Sequence, residues 1–164
     1  MAKTKDNLMK MFTSGSESNI RYMAFGEAAD KEGHPNAAKI FKAVATAKMF
    51  HALSHFRATN LVDTTTENLK QALEEETYDY KNAYPPMIQE AVTDDALKAR
   101  HSLEYGMSIG PVITKLISKA ISDPAAKEDG LYYVCPVCGN IEFGSPPDKC
   151  PFCGVDAGDF VAVL

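Results

Sequence analysis

The sequence predicts a mainly α-helical protein, an antiparallel four-helix bundle followed by a small domain stapled by a metal ion. Three observations predict it. Apolar residues recur at helical spacing through most of the first 122 residues. Glycine, proline and threonine-acid signals cut that pattern into four segments. All four cysteines fall near the C-terminal end as two knuckles, Cys135-Pro136-Val137-Cys138-Gly139 and Cys150-Pro151-Phe152-Cys153-Gly154. The expected organisation is a bundle over 1–122, a polar linker over 123–130 and a metal domain over 131–164.

The first two helices are expected over 6–32 and 36–61, separated by Glu32-Gly33-His34-Pro35-Asn36, where glycine ends one helix and proline opens the next. They read as a helical hairpin. Thr64-Thr65-Thr66-Glu67 supplies capping hydroxyls with an acid behind them and predicts a third helix over 66–92. Thr93-Asp94-Asp95 is expected to cap a fourth over 95–121, and Gly110-Pro111 to kink it, because proline removes an N–H and crowds the preceding turn. Asp6-Asn7-Leu8 and Glu67-Asn68-Leu69 open the first and third helices alike. This weak repeat sets Phe12 against Leu73, Gly15 against Glu76 and Ser18 against Asp79.

The two knuckles define a metal site. Paired Cys-x-x-Cys units present four thiolates tetrahedrally, and the glycine after each pair lets the backbone turn its N–H groups toward sulfur. Two disulfides are the competing reading, but that spacing is too short for a comfortable structural bridge. A module of this size cannot hold together without its ion. Ligand count alone suits iron and zinc equally.

A chain of 164 residues, 45% hydrophobic and 24% charged, has room for one good core and a small appendage. Its net charge of -5 argues against a nucleic-acid partner, which requires a basic surface. The segment from Met1 to Phe12 lacks the apolar core of a signal peptide, and no apolar run reaches membrane-spanning length, so a cytoplasmic protein with reduced thiols is expected.

Polar residues interrupt the helical stripes. On the second helix Ala37, Phe41, Val44, Lys48, His51 and His55 follow one another at spacings of three and four, which puts an ammonium and an imidazole where core side chains belong. The third helix does the same with Glu76 and Asp79. Buried charges are costly unless paired or metal-bound; at the rim of a bundle they are ordinary. From Tyr105 to Ser122 the fourth helix has no Asp, Glu or His, and Glu104 is its one mid-helix carboxylate.

Taken with Ile20-Arg21-Tyr22, Phe50-His51-Ala52, Thr66-Glu67-Asn68-Leu69-Lys70, Glu76-Thr77-Tyr78-Asp79 and Tyr84-Pro85, the knuckles make the chain resemble the rubrerythrins over nearly its whole length. That resemblance implies a ferritin-like bundle holding a di-iron site, a C-terminal rubredoxin-like iron module, peroxide reduction at the two irons, and electrons supplied by a partner subunit's module. It therefore implies a homodimer or larger oligomer, a redox partner protein, and iron rather than zinc at Cys135, Cys138, Cys150 and Cys153.

Carried across residue by residue, the resemblance also implies that most di-iron ligands are missing. The first-helix glutamate falls on Gly15. The Glu-x-x-His pair becomes Lys48-Met49-Phe50-His51, and the Glu-x-x-Glu pair is kept as Glu76-Thr77-Tyr78-Asp79. The fourth-helix positions fall near Gly106 and Ile109. Lys48 is then read as a cation standing in for metal beside Glu76 or Asp79, with Tyr22 and Tyr84 retained as hydrogen-bonding partners.

The leading functional expectation is a one-electron carrier at the four-cysteine iron site, with the di-iron centre lost. A second is a peroxide reductase protecting against oxidative stress, using an unusual metal centre on His51, Glu76 and Asp79, with Glu104 as a further candidate. A third is a zinc-stabilised protein without redox function. No catalytic residue is assigned.

Overall fold

The computed structural model describes residues 2–127 and 129–163, so Glu128 of the expected linker and the terminal residues Met1 and Leu164 lie outside the described residues. The fold class is the expected one, mainly helical with a small three-stranded C-terminal sheet. Two compact units divide the chain at 63/64.

The first unit is a hairpin of α1 (Ala2–Lys31) and α2 (Pro35–Arg57). Gly33 turns the chain at φ +78°, a left-handed value that costs glycine nothing, and Pro35 opens α2. The seam is built from small residues. Ala38, Ala45 and Ala52, seven apart on α2, are buried, as are Gly15, Ser18, Gly26 and Ala29 of α1. A Cβ added at Gly15 would lie 3.2 Å from the Ala52 Cβ, so the glycine sets how closely the helices approach. Asn19 Nδ2 donates to the Ala45 carbonyl at 2.8 Å, and the Phe12 and Phe56 rings pack at 4.8 Å. The hairpin's own packing covers this alanine seam. The neighbouring stripe is left half-buried at Phe41, Lys48 and His55 and exposed at Val44 and His51.

The second unit begins with α3 (Thr65–Tyr78), whose Thr64 cap accepts from the Glu67 N–H at 3.3 Å as the sequence predicts. The single helix expected over 66–92 is not uniform. A π-helical turn (Asp79–Ala83) separates α3 from α4 (Tyr84–Thr93), and the Tyr84 N–H reaches back to the Asp79 carbonyl. Pro85 and Pro86 give the cause: neither has an N–H for the carbonyls of Lys81 and Asn82, so the i→i−4 ladder cannot run through.

The last helix, α5 (Leu97–Ser122), follows Ala96 and has no side-chain cap. Thr93 does not serve as one: its hydroxyl donates within α4 to the Gln89 carbonyl at 2.9 Å, and Asp95 takes a left-handed φ of 51° in the turn between the helices. α5 continues as one helix through Pro111. Beyond it come β1 (Tyr132–Val134), β2 (Ile141–Phe143), a 3-10 turn (Ala157–Asp159) and β3 (Val161–Val163), paired antiparallel in the order β2-β1-β3. Tyr132 stands opposite both Phe143 and Val163.

Candidate metal centre

The two knuckles repeat one backbone design. Cys135 donates its N–H to the Asn140 carbonyl and Cys150 to that of Val155, both at 2.8 Å. Gly139 N–H returns to Cys135 and Gly154 N–H to Cys150, at 3.0 and 2.9 Å. Both glycines sit at φ +79°, the left-handed turn the sequence asks of them. The turn aims amide N–H groups at sulfur: those of Val137 and Cys138 at Cys135, of Asn140 at Cys138 and of Val155 at Cys153.

The four sulfurs lie within 4.8 Å of one another, with Cys135 and Cys153 at 3.4 Å and Cys138 and Cys150 at 3.5 Å. A tetrahedral ion with metal–sulfur bonds of ~2.3 Å needs sulfurs about 3.8 Å apart, so the set fits one such ion with small adjustments. None of the four is in a disulfide.

Their titration fits a site made for a cation. Burial opposes ionisation of Cys135, yet the N–H groups of Cys138 and Val137 and the neighbouring thiols hold it down at about 7. Burial pushes Cys138 well up, and the Cys150, Cys135 and Cys153 thiols add to this against the Asn140 N–H. For Cys153 the Val155 N–H favours the thiolate, but burial and the Cys135 and Cys150 thiols outweigh it and raise the group. The Cys135 thiolate forms readily; those of Cys138 and Cys153 are favoured when positive charge enters.

The module packs onto one side of α5, and the segment before α5 packs onto another. Ile109, only 2% exposed, lies in one buried cluster with Cys135, Cys138, Cys150 and Phe160, flanked by Tyr105, Val112, Ile113 and Tyr133. Cys153 keeps a solvent edge. Around the helix from Ile109, the notches at Gly106 and Gly110 receive Tyr84 and Tyr80. Asn140 is buried, its amide donating to Glu142 at 2.8 Å, which holds the first knuckle against β2.

Of the bundle residues singled out by sequence, Glu76 and Asp79 come together. They line a cavity of about 260 Å³ that also borders Tyr80, Tyr84, Gly106 and the Cys138-Gly139 knuckle. Burial raises the Glu76 pKa, and repulsion from Asp79 and Glu75 raises it further. Glu104 is occupied by Arg100 one turn earlier on α5, at 2.7 Å. Lys48 and His51 sit on α2 in the first unit, and Gly15 faces Ala52 there. Sequence reasoning missed that Ile109 covers the thiolates and that the tyrosines seat on glycines. The second had a signal: Tyr80 and Tyr84 are four apart, and so are Gly106 and Gly110.

A helical chain ending in a two-knuckle, four-thiolate module defines a helix-bundle protein with a rubredoxin-type metal site. Comparison with known proteins makes this specific. The family model described as rubrerythrin matches residues 6–107, and that of the rubrerythrin rubredoxin-like domain matches residues 133–161. The chain belongs to the rubrerythrin family. Rubrerythrin-2 of Clostridium acetobutylicum is 29% identical, covering 98% of this chain and 97% of the relative. Nigerythrin of Nitratidesulfovibrio vulgaris is 25% identical, covering 93% and 83%. Among solved structures, nigerythrin in a partially reduced state aligns with a TM-score of 0.60 at 25% identity over 98% of this chain and 86% of that one. Its fully reduced, all-ferrous state aligns with a TM-score of 0.58. Among the described residues, no helix is long and apolar enough to cross a membrane.

Proposed function

We propose that this rubrerythrin-family chain is a one-electron carrier, with iron at Cys135, Cys138, Cys150 and Cys153 and no di-iron centre in its helices. Iron held by four thiolates supplies reversible exchange between the ferrous and ferric states. The chain's own residues provide the rest. The amides of Val137, Cys138, Asn140 and Val155 stabilise charge on sulfur, while Ile109 and Phe160 keep water from the three buried cysteines. Cys153, at the solvent edge, is the natural point of exchange with a redox partner protein.

One observation carries the loss of the di-iron centre: α5 offers Glu76 and Asp79 no carboxylate. Gly106 and Gly110 are filled by tyrosines, Ile109 turns to the cysteines, and Glu104 is held by Arg100. Two iron ions need several carboxylates to neutralise them, and these helices supply too few. The same reading places the chain in the cytoplasm as a homodimer or larger oligomer, and light scattering that finds only monomer at micromolar concentration rejects the assembly.

The test of the carrier is spectroscopic. Aerobically purified protein is expected to show ferric-thiolate colour that one electron per chain bleaches and air restores. A colourless protein holding zinc contradicts it. A second reading, peroxide reduction at a metal held by the helices, draws on the cavity that Glu76 and Asp79 share with the Cys138 knuckle. It requires metal beyond the four-cysteine ion, together with rapid peroxide consumption.

A further inference from the structure

We propose that two copies of this chain complete each other's four-helix bundle by exchange: the α1–α2 hairpin of one copy seats on α3–α5 of the other, which brings Lys48 to Glu76 of the partner subunit. It rests on the reading of the chain as a homodimer and deepens it to the way the fold closes. The connector gives the first reason. α2 is 23 residues long, about 34 Å, and ends at Arg57, while α3 begins at Thr65. Ala58, Thr59 and Asn60 are spent closing α2: their N–H groups return to the carbonyls of Ser54, Phe56 and Arg57, and Asn60 takes a left-handed φ of 56°. Residues 61–64 remain, and fully extended they reach at most about 18 Å. A ferritin-like bundle joins its two helix pairs by one long crossover that returns along the bundle. A span of about 18 Å cannot retrace about 34 Å of helix, so the helix pairs of one copy cannot meet in that way, and those of two copies can.

The hairpin's surface gives the second reason. Among the described residues of the first unit, every buried one is Ala, Gly, Ser or Thr. The large apolar residues stay uncovered: Ile20, Ile40 and Phe50 are 61–65% exposed, and Phe25 is 48% exposed although it packs against Tyr22 and Phe41. An apolar surface of this extent marks an interface. Charge names its occupant. α2 carries Lys39, Lys42, Lys48 and Arg57 and has no Asp or Glu, whereas α3 carries Glu67, Glu74, Glu75 and Glu76 against Lys70. Two α2 helices face to face would oppose like charges, while α2 of one copy meets opposite charge on α3 of the other. On α3, Leu73 and Tyr78 line an open cavity of about 380 Å³ that leaves room for apolar side chains.

Native mass spectrometry of the full-length holoprotein tests the exchange. The wild type is expected to be a dimer at micromolar concentration. A variant with about fifteen Gly and Ser residues inserted between Leu61 and Val62 is expected to be a monomer of unchanged helical content, because the longer connector lets each copy close on itself. A monomeric wild type defeats the homodimer itself. A dimer that survives the insertion unchanged defeats the exchange alone, so the two failures are distinguishable. The charges give a second readout that does not depend on the insertion. Lys48→Glu chains, tagged to set their mass apart, are co-expressed with Glu76→Lys chains. Mixed dimers are expected well above the half that chance gives, since only there does each acid meet a lysine across the copies. A chance distribution overturns the contact between Lys48 and Glu76 of the partner subunit.

Discussion

Gly110→Ala probes how the chain closes α5 against the preceding segment. The new Cβ would overlap Tyr80, including its Cβ, and lie 2.6 Å from Cγ. Rotating the ring does not relieve this, because turning about χ1 leaves the Tyr80 Cβ in place. The π-helical turn and α5 must separate by roughly 1 Å to restore carbon contacts of about 3.5–4.0 Å. Overpacking of this kind costs about 1–3 kcal/mol. Alanine returns about 0.5–1 kcal/mol in helix propensity, which leaves a net loss of roughly 1–2 kcal/mol. At about 2–4 °C per kcal/mol for a chain of this size, the melting midpoint falls by roughly 2–8 °C. Circular dichroism melts of the holoprotein read it. Gly158→Ala serves as control, because a Cβ there meets nothing within 4 Å. A Gly110→Ala protein as stable as the wild type refutes the packing argument.

Ile109→Ala removes a side chain buried in one cluster with three cysteines and should cost about 2–5 kcal/mol, with faster iron loss to a chelator as a second readout; unchanged chelator kinetics count against it as a water shield. Glu76 has a folded-state pKa raised by burial, Asp79 and Glu75, so its charge destabilises the fold above that pKa and has no effect below the ordinary glutamate range. Glu76→Gln is therefore more stable than wild type in urea at neutral pH and equal to it in acid; a loss of stability at neutral pH reverses the sign and sinks the argument. Since Cys135 titrates at about 7 and Cys138 and Cys153 higher, metal binding displaces protons, and affinity measured by chelator competition falls as pH falls through 7. An affinity independent of pH contradicts thiolate ligation.

The metal module was legible because its chemistry is local. Cys-x-x-Cys-Gly fixes both the ligands and the left-handed glycine turn, and Gly139 and Gly154 take the same φ. The α1–α2 turn was equally plain from Gly33 and Pro35. The interior of the helix assigned to 66–92 was harder. Periodicity continues across it, and only Pro85-Pro86 betrays the lost N–H groups that force a π-helical turn. The capping role expected of Thr93 failed because its hydroxyl had a nearer acceptor in its own helix. Least legible was α5. Its sequence reads as a face of Leu103, Gly106, Gly110, Ile113 and Ile117 with Ile109 beside it, but an apolar face does not name its partner. That Ile109 covers thiolates follows from the docking of the module, a contact among residues far apart in sequence.

The central claim is that this rubrerythrin-family chain holds one metal ion and that its four cysteines hold it. Iron counted per chain on anaerobically prepared protein, before and after Cys135→Ser with Cys150→Ser, tests it most directly. One iron in the wild type and none in the variant is the expected result. Two irons that survive loss of the cysteines would mean that the helices still carry a di-iron centre, and would contradict the account.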